Sequence, residues 1–101
     1  MTRNDFSLKL SDEAQDTIDE LEKNPSKKGL SKQVKKSLGY LQRNPKHPSL
    51  NTHSYSDLEG AQGEKVFESY AQNRTPGAYR VFWHYGPKKG LLTIVAIIPH
   101  P

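Results

Sequence analysis

Histidine and arginine carry whatever chemistry this 101-residue chain performs, because it contains four histidines and no cysteine. An imidazole gains and loses a proton near neutrality, so each of His47, His53, His84 and His100 can act as an acid or a base. Arg80 stands in the run Tyr79-Arg-Val-Phe-Trp-His-Tyr85, where a charge among aromatic residues needs a reason. A guanidinium never loses its charge, and its planar fork meets phosphate oxygens two at a time. The competing explanation for Arg80 is a strand arginine paired with Glu64 or Glu68. His84 shares its strand face but lies four residues on, roughly 13 Å away at strand spacing, too far to work on the same phosphate. The missing cysteines exclude thiolate nucleophiles, disulfide frameworks and cysteine-based zinc sites. His47 and His53 lack the carboxylate cluster that a metal centre needs, so neither metal nor cofactor is expected. The stretch Gly60-Ala-Gln-Gly63-Glu-Lys65 is too short for a phosphate loop and has no hydroxyl residue after its lysine.

The elements that must position these residues follow from periodicity. Residues 5–10 alternate, with Phe6, Leu8 and Leu10 on one face of a half-buried strand. Ser11 is a helix N-cap with Asp12 and Glu13 in the first turn, Ala14, Ile18 and Leu21 follow at helical spacing, and Asn24-Pro25 ends the helix. A second helix carries Leu30, Val34, Leu38 and Leu41 and stops at Asn44-Pro45. Residues 44–63, rich in Pro, Ser, Asn and Thr, read as a long loop, and loops of that length in small domains tend to serve function. Three strands complete the chain, at residues 66–71, 79–85 and 91–98. The last is apolar except for Thr93, as expected of a strand covered on both faces. The predicted fold is α+β, one domain over residues 1–101, in the order β-α-α-β-β-β. Its sheet is expected to be antiparallel, with the helical hairpin packed on one face.

Charge is segregated. Residues 12–22 hold six acids and no base, and residues 23–46 hold eight bases and no acid. Two readings are compatible: neighbouring helices that support each other across a hairpin, and a basic helix face (Lys32, Lys35, Lys36, Arg43) offered to polyphosphate. The net charge is +4, and hydrophobic residues make up only 33%, which predicts a thin core and either marginal stability or a stabilising partner. The longest apolar run, residues 94–98, is far too short to span a bilayer. No apolar signal core follows Met1, so a cytoplasmic protein without membrane attachment is expected.

In this order and spacing, three stretches resemble the RelE/ParE superfamily of bacterial type II toxin-antitoxin toxins. Asn44-Pro-Lys-His-Pro-Ser-Leu-Asn-Thr-His53 resembles the segment after the second helix in RelE- and YafQ-like members. Gly77-Ala-Tyr-Arg-Val-Phe-Trp83 resembles their "YRV" strand, and Ile94-Val-Ala-Ile-Ile-Pro-His100 their final strand. The resemblance implies a ribosome-dependent, metal-free messenger RNA endoribonuclease that inhibits translation, with a cognate antitoxin, the ribosome and mRNA as partners. Two alternatives stand beside it: a catalytically weak or inactive protein-binding module of the same fold, and a ParE-like gyrase inhibitor.

Cleavage by 2′-hydroxyl attack needs a base, an acid and a fixed cation. The resemblance assigns the cation to Arg80 and the proton transfers to His53 and His100. Lys32, Lys35, Lys36, Arg43, Tyr70 and Arg74 are the candidate RNA contacts, Tyr70 as a stacking surface. Tyr79 and Trp83, on the opposite face from Arg80, are expected in the core. Glu68 departs from the family pattern, standing where a cation is wanted; it either opposes catalysis or serves as the base.

Overall fold

A computed structural model of the chain describes residues 5–72 and 78–99. In chain order it contains β1 (Ser7–Leu10), α1 (Asp12–Lys23), a 3-10 turn (Pro25–Lys27), α2 (Lys28–Arg43) and a second 3-10 turn (Pro48–Leu50). Four further strands follow: β2 (His53–Glu59), β3 (Lys65–Tyr70), β4 (Tyr79–Tyr85) and β5 (Leu91–Pro99). Ser11 starts α1 as expected. Its hydroxyl oxygen accepts from the Ala14 amide at 3.1 Å while the hydroxyl donates to the Val95 carbonyl at 2.6 Å, fastening the helix to β5. Asn24 ends α1 and caps the 3-10 turn through its own side chain. Lys35 of α2 reaches Glu22 of α1 at 2.6 Å, so opposite charges do meet across the hairpin.

The five strands form one sheet in the order β1-β5-β4-β3-β2. It is mixed rather than wholly antiparallel, because β1 runs parallel to β5. The helical hairpin is a crossover connection, and it frees β1 from the direction that a tight turn would impose. The second difference is β2, which occupies part of the segment expected to be loop. Its ladder with β3 shifts register between Ser54 and Glu59. Tyr55 and Leu58, three residues apart, therefore both pack on one cluster, and the alternation that announces a strand is lost. The turn of residues 86–90 is as expected, with Gly86 and Gly90 at φ of 88° and 82°.

Both helices cover one face of the sheet. There Ala14, Ile18, Leu21, Val34 and Leu41 meet Val81, Trp83, Leu92, Ile94 and Ile97 in the main core. On the other face Val66, Phe82 and Ala96 form a smaller apolar cluster, bordered by Tyr55, Leu58 and Val95. β4 is buried on both sides, so the polar residues it turns to this second face, Arg80 and His84, are buried too. Among the described residues, no helix is long and apolar enough to cross a membrane.

Candidate functional site

Strand register assembles the site. Tyr70 lies opposite Arg80 and Glu68 opposite Phe82 in the β3–β4 ladder, and His53 lies opposite Glu68 across β2–β3. Period-2 alternation then sends Glu68, Tyr70 and Arg80 to the face away from the helices. His53 Nε2 is 2.6 Å from Glu68 Oε1, and Arg80 Nε is 3.9 Å from Glu68 Oε2. The Arg80 guanidinium carbon sits 3.9 Å from the Tyr70 ring centroid, and the His53 ring meets Tyr70 edge-on at 6.2 Å. Arg80 Nη1 donates to the carbonyls of Ala78 (3.2 Å) and Tyr79 (3.3 Å). A guanidinium only 5% exposed is thus met by a carboxylate, an aromatic face and two carbonyls, which offset the cost of burying its charge.

Hydrogen-bond roles around His53 follow from what its neighbours are able to do. Asn51 adopts a left-handed conformation (φ 47°, ψ 44°) after the second 3-10 turn, and its carbonyl lies 3.1 Å from His53 Nδ1. A carbonyl only accepts, so Nδ1 carries a hydrogen. Nε2 is thus the ring nitrogen turned to Glu68.

Two of the three expected catalytic residues, His53 and Arg80, therefore converge, and the buried carboxylate joining them is Glu68, left outside the expected set. His100 and the candidate RNA contact Arg74 lie outside the described residues. Tyr70 belongs to the cluster as the surface beneath Arg80. Lys36 holds its ammonium 5.8 Å over the Tyr40 ring and shares with Tyr70 the wall of a small cavity of about 180 Å³. Lys32, Lys35 and Arg43 are exposed on α2 and are not drawn into the cluster, Lys35 being paired with Glu22.

The other two described histidines, His47 and His84, are held by structure. His47 stacks on Tyr40 (4.2 Å between centroids) and accepts the Ser49 amide hydrogen at Nδ1, fixing the turn that leads to His53. His84 is buried beside Gly60 and Glu64, so close that a Cβ at Gly60 would lie 2.9 Å from its ring. Backbone hydrogen bonds from Gln62 and from its own amide hold the Glu64 carboxyl below the usual carboxylate range, with a smaller contribution from the charge of His84. Among the described residues, no three histidine, aspartate or glutamate side chains gather as metal ligands.

A hydroxyl chain fixes the loop that delivers His53. Trp83 Nε1 donates to Ser69 Oγ at 2.8 Å, Ser69 and Thr52 hydroxyls are 2.7 Å apart, and Thr52 donates to the Pro45 carbonyl at 3.1 Å. With Thr52 committed to Pro45, the hydrogen between the hydroxyls comes from Ser69. Every member of the chain is satisfied in one direction.

No family model matches the sequence, and no curated protein matches it. Solved structures do. The YoeB/ParE toxin from Agrobacterium tumefaciens superimposes with a TM-score of 0.68 at 9% identity, over 94% of this chain and 99% of that one. The YoeB dimer from Staphylococcus aureus gives 0.67 at 13% identity, over 99% and 100%. A chain of the archaeal RelE-RelB complex from Pyrococcus horikoshii OT3 gives 0.64 at 16% identity, over 93% of each. At such identities the likeness is one of backbone architecture, and it spans nearly the whole of each chain compared: this protein has the fold of the RelE/ParE toxins.

Proposed function

We propose that this protein is the toxin of a toxin-antitoxin pair, a cytoplasmic endoribonuclease that cuts mRNA on the ribosome and so inhibits translation. The observation that carries the reading is the contact of His53 and Arg80 with one buried carboxylate on the sheet face that no helix covers. In the proposed step the His53–Glu68 pair takes the proton from a ribose 2′-hydroxyl. That oxygen bonds to phosphorus while Arg80 stabilises the added charge, and the bond to the 5′ oxygen breaks. The leaving oxygen takes a proton from His100. The products are a 2′,3′-cyclic phosphate and a 5′-hydroxyl, with no metal or cofactor required. Lys32, Lys35, Lys36, Arg43, Tyr70 and Arg74 are the proposed contacts to RNA and ribosome. An antitoxin partner is supported by the RelE-RelB complex among the structural neighbours.

One observation favours a second reading. Glu68 lies close enough to Arg80 to offset part of its positive charge, which suits a protein-binding module or a gyrase inhibitor better than a phosphate clamp. A short induction pulse followed by transcript mapping separates these readings. New cuts in ribosome-bound mRNA that vanish with Arg80→Ala support the nuclease. Growth arrest with DNA damage and intact transcripts supports the gyrase inhibitor, and no effect on either overturns the toxin reading.

A further inference from the structure

The helices do not cover their side of the sheet to its end. Beyond α2, Phe67, Trp83 and Tyr85 form a packed aromatic wall. Phe67 stacks on Trp83 with 5.0 Å between centroids, and Tyr85 stands edge-on to both, at 5.8 and 5.0 Å. Trp83 is buried, but Tyr85 is 41% exposed and Phe67 partly so. The wall closes one side of a groove of about 880 Å³, whose other side is the loop of Pro45, His47, Pro48 and Thr52. Tyr85 also lines a second cavity of about 350 Å³, with Phe6, Pro87, Lys88 and Lys89. The Phe6 and Tyr85 rings are 6.0 Å apart.

Two features identify the occupant. Lysines 46, 88 and 89 line these cavities, and among the described residues no carboxylate does. Lys65 adds an ammonium 5.7 Å above the Phe67 ring. Aromatic faces interleaved with ammonium groups are what a single strand of nucleic acid requires, bases stacking and phosphates paired. The second feature is continuity. His53, on the edge strand β2, both lines the groove and holds Glu68, so the groove on the helix side meets the proposed cleavage site, on the opposite face, around that edge. We infer that this trough binds a single-stranded RNA segment flanking the scissile phosphate, with bases against Tyr85 and Phe67 and phosphates at Lys46, Lys88 and Lys89. The inference rests on the nuclease reading for its substrate but is tested apart from it.

The test is fluorescence anisotropy with a labelled 2′-O-methyl single-stranded oligonucleotide, whose blocked 2′ oxygen prevents cleavage. Tyr85→Ala is expected to weaken binding about tenfold, the loss of one stacked base, and Tyr85→Phe to restore it. Lys88→Glu with Lys89→Glu, at a surface turn where folding is not at stake, is expected to weaken binding and to lower the salt slope by about 1.4, or about 0.7 per lost phosphate contact. Lys27→Glu with Lys28→Glu, at the exposed start of α2, is expected to leave binding within about twofold of wild type. Equal losses in the two lysine variants would mean diffuse attraction and overturn the inference, as would trough variants that bind like wild type. Polyglutamate binding that is lost with Tyr85→Ala, while oligonucleotide binding persists, would make the trough a peptide site and overturn it too. Trough-dependent binding by a protein that cuts no transcript keeps this site and refutes the nuclease. Cleavage indifferent to the trough does the reverse.

Discussion

His53 is half exposed and Glu68 is not: Nε2 and Oε1 are 2.6 Å apart, while the two side chains are 50% and 2% accessible. A carboxyl group beyond the reach of bulk water thus touches an imidazole that bulk water does reach. His53→Ala and Glu68→Gln are each expected to lower RNA cleavage by about 10²- to 10⁴-fold, the usual worth of a positioned proton-transfer group. In the proposed step the two act as one unit, so the double variant is expected to be little worse than either single one. His53→Ala, at an exposed position, is expected to cost less than about 1 kcal/mol in a denaturant melt. Additive losses in the double variant would show that the residues do not share a proton.

Arg80→Lys keeps the charge and loses the fork. The Ala78 and Tyr79 carbonyls and the Tyr70 face are all met by the planar guanidinium, and a point-charge ammonium does not reproduce that set. Cleavage by Arg80→Lys is expected to fall nearly to the level of Arg80→Ala. Arg80→Ala is also expected to lose about 3 kcal/mol of stability, because it breaks a buried ion pair from one side. Chemical denaturation alongside the cleavage assay checks both.

Ser69→Ala interrupts the hydroxyl chain at its centre. The buried indole hydrogen of Trp83 loses its acceptor, at a cost of about 1–3 kcal/mol. The loop of residues 45–52 loses its tie to the sheet. Faster amide exchange in that loop, together with reduced cleavage, is the expected result. A stability loss with unchanged cleavage would mean that the loop does not need this tie to place His53.

Arg80 was legible because a cation in an alternating aromatic strand stands out, and the alternation correctly put it opposite Tyr79 and Trp83. The helices were legible through Ser11, the apolar spacing and the Asn-Pro stops. The partnership of His53 with Glu68 was not, since it depends on β2, whose register shift puts Tyr55 and Leu58 on one face and erases the period of 2. Glu68 stood out as an intruder, but nothing in a one-dimensional pattern says that a residue in an apparent loop lies directly across from it. The parallel partner of β1 was hidden for a similar reason: adjacency to β5 is set by the hairpin packing over the sheet, 84 residues away in the case of Ser7 and Leu91.

Gly60→Ala tests how tightly β2 and β3 are closed. A Cβ there would collide with Glu64 Oε1 and lie 2.9 Å from the His84 ring. The carboxylate can swing away; the buried imidazole cannot. Overpacking of this kind is expected to cost about 1–3 kcal/mol, read from thermal denaturation, with Gly60→Ser no better.

Acid should loosen the same turn. Glu64 has its carboxyl held below the ordinary range mainly by the Gln62 and Glu64 amides. A group depressed in the folded state contributes stability above its unfolded pKa, and that contribution is lost as pH falls through the folded value. Exchange of the Gln62 amide is therefore expected to accelerate below the ordinary glutamate range in wild type and to be fast at all pH values in Glu64→Gln. Identical pH profiles in the two proteins would refute the assignment.

The parallel pairing of β1 with β5 also governs how the molecule comes into being. On the ribosome β1 and the helical hairpin emerge well before β5, the strand that β1 pairs with and that Ser11 fastens α1 to. Nearly the whole chain must be available before its first and last strands join, the slow, non-local kind of closure. Until then α1 lacks the strand on which it chiefly packs. The folded body, and whatever it does to other molecules, must wait until β5 has been made.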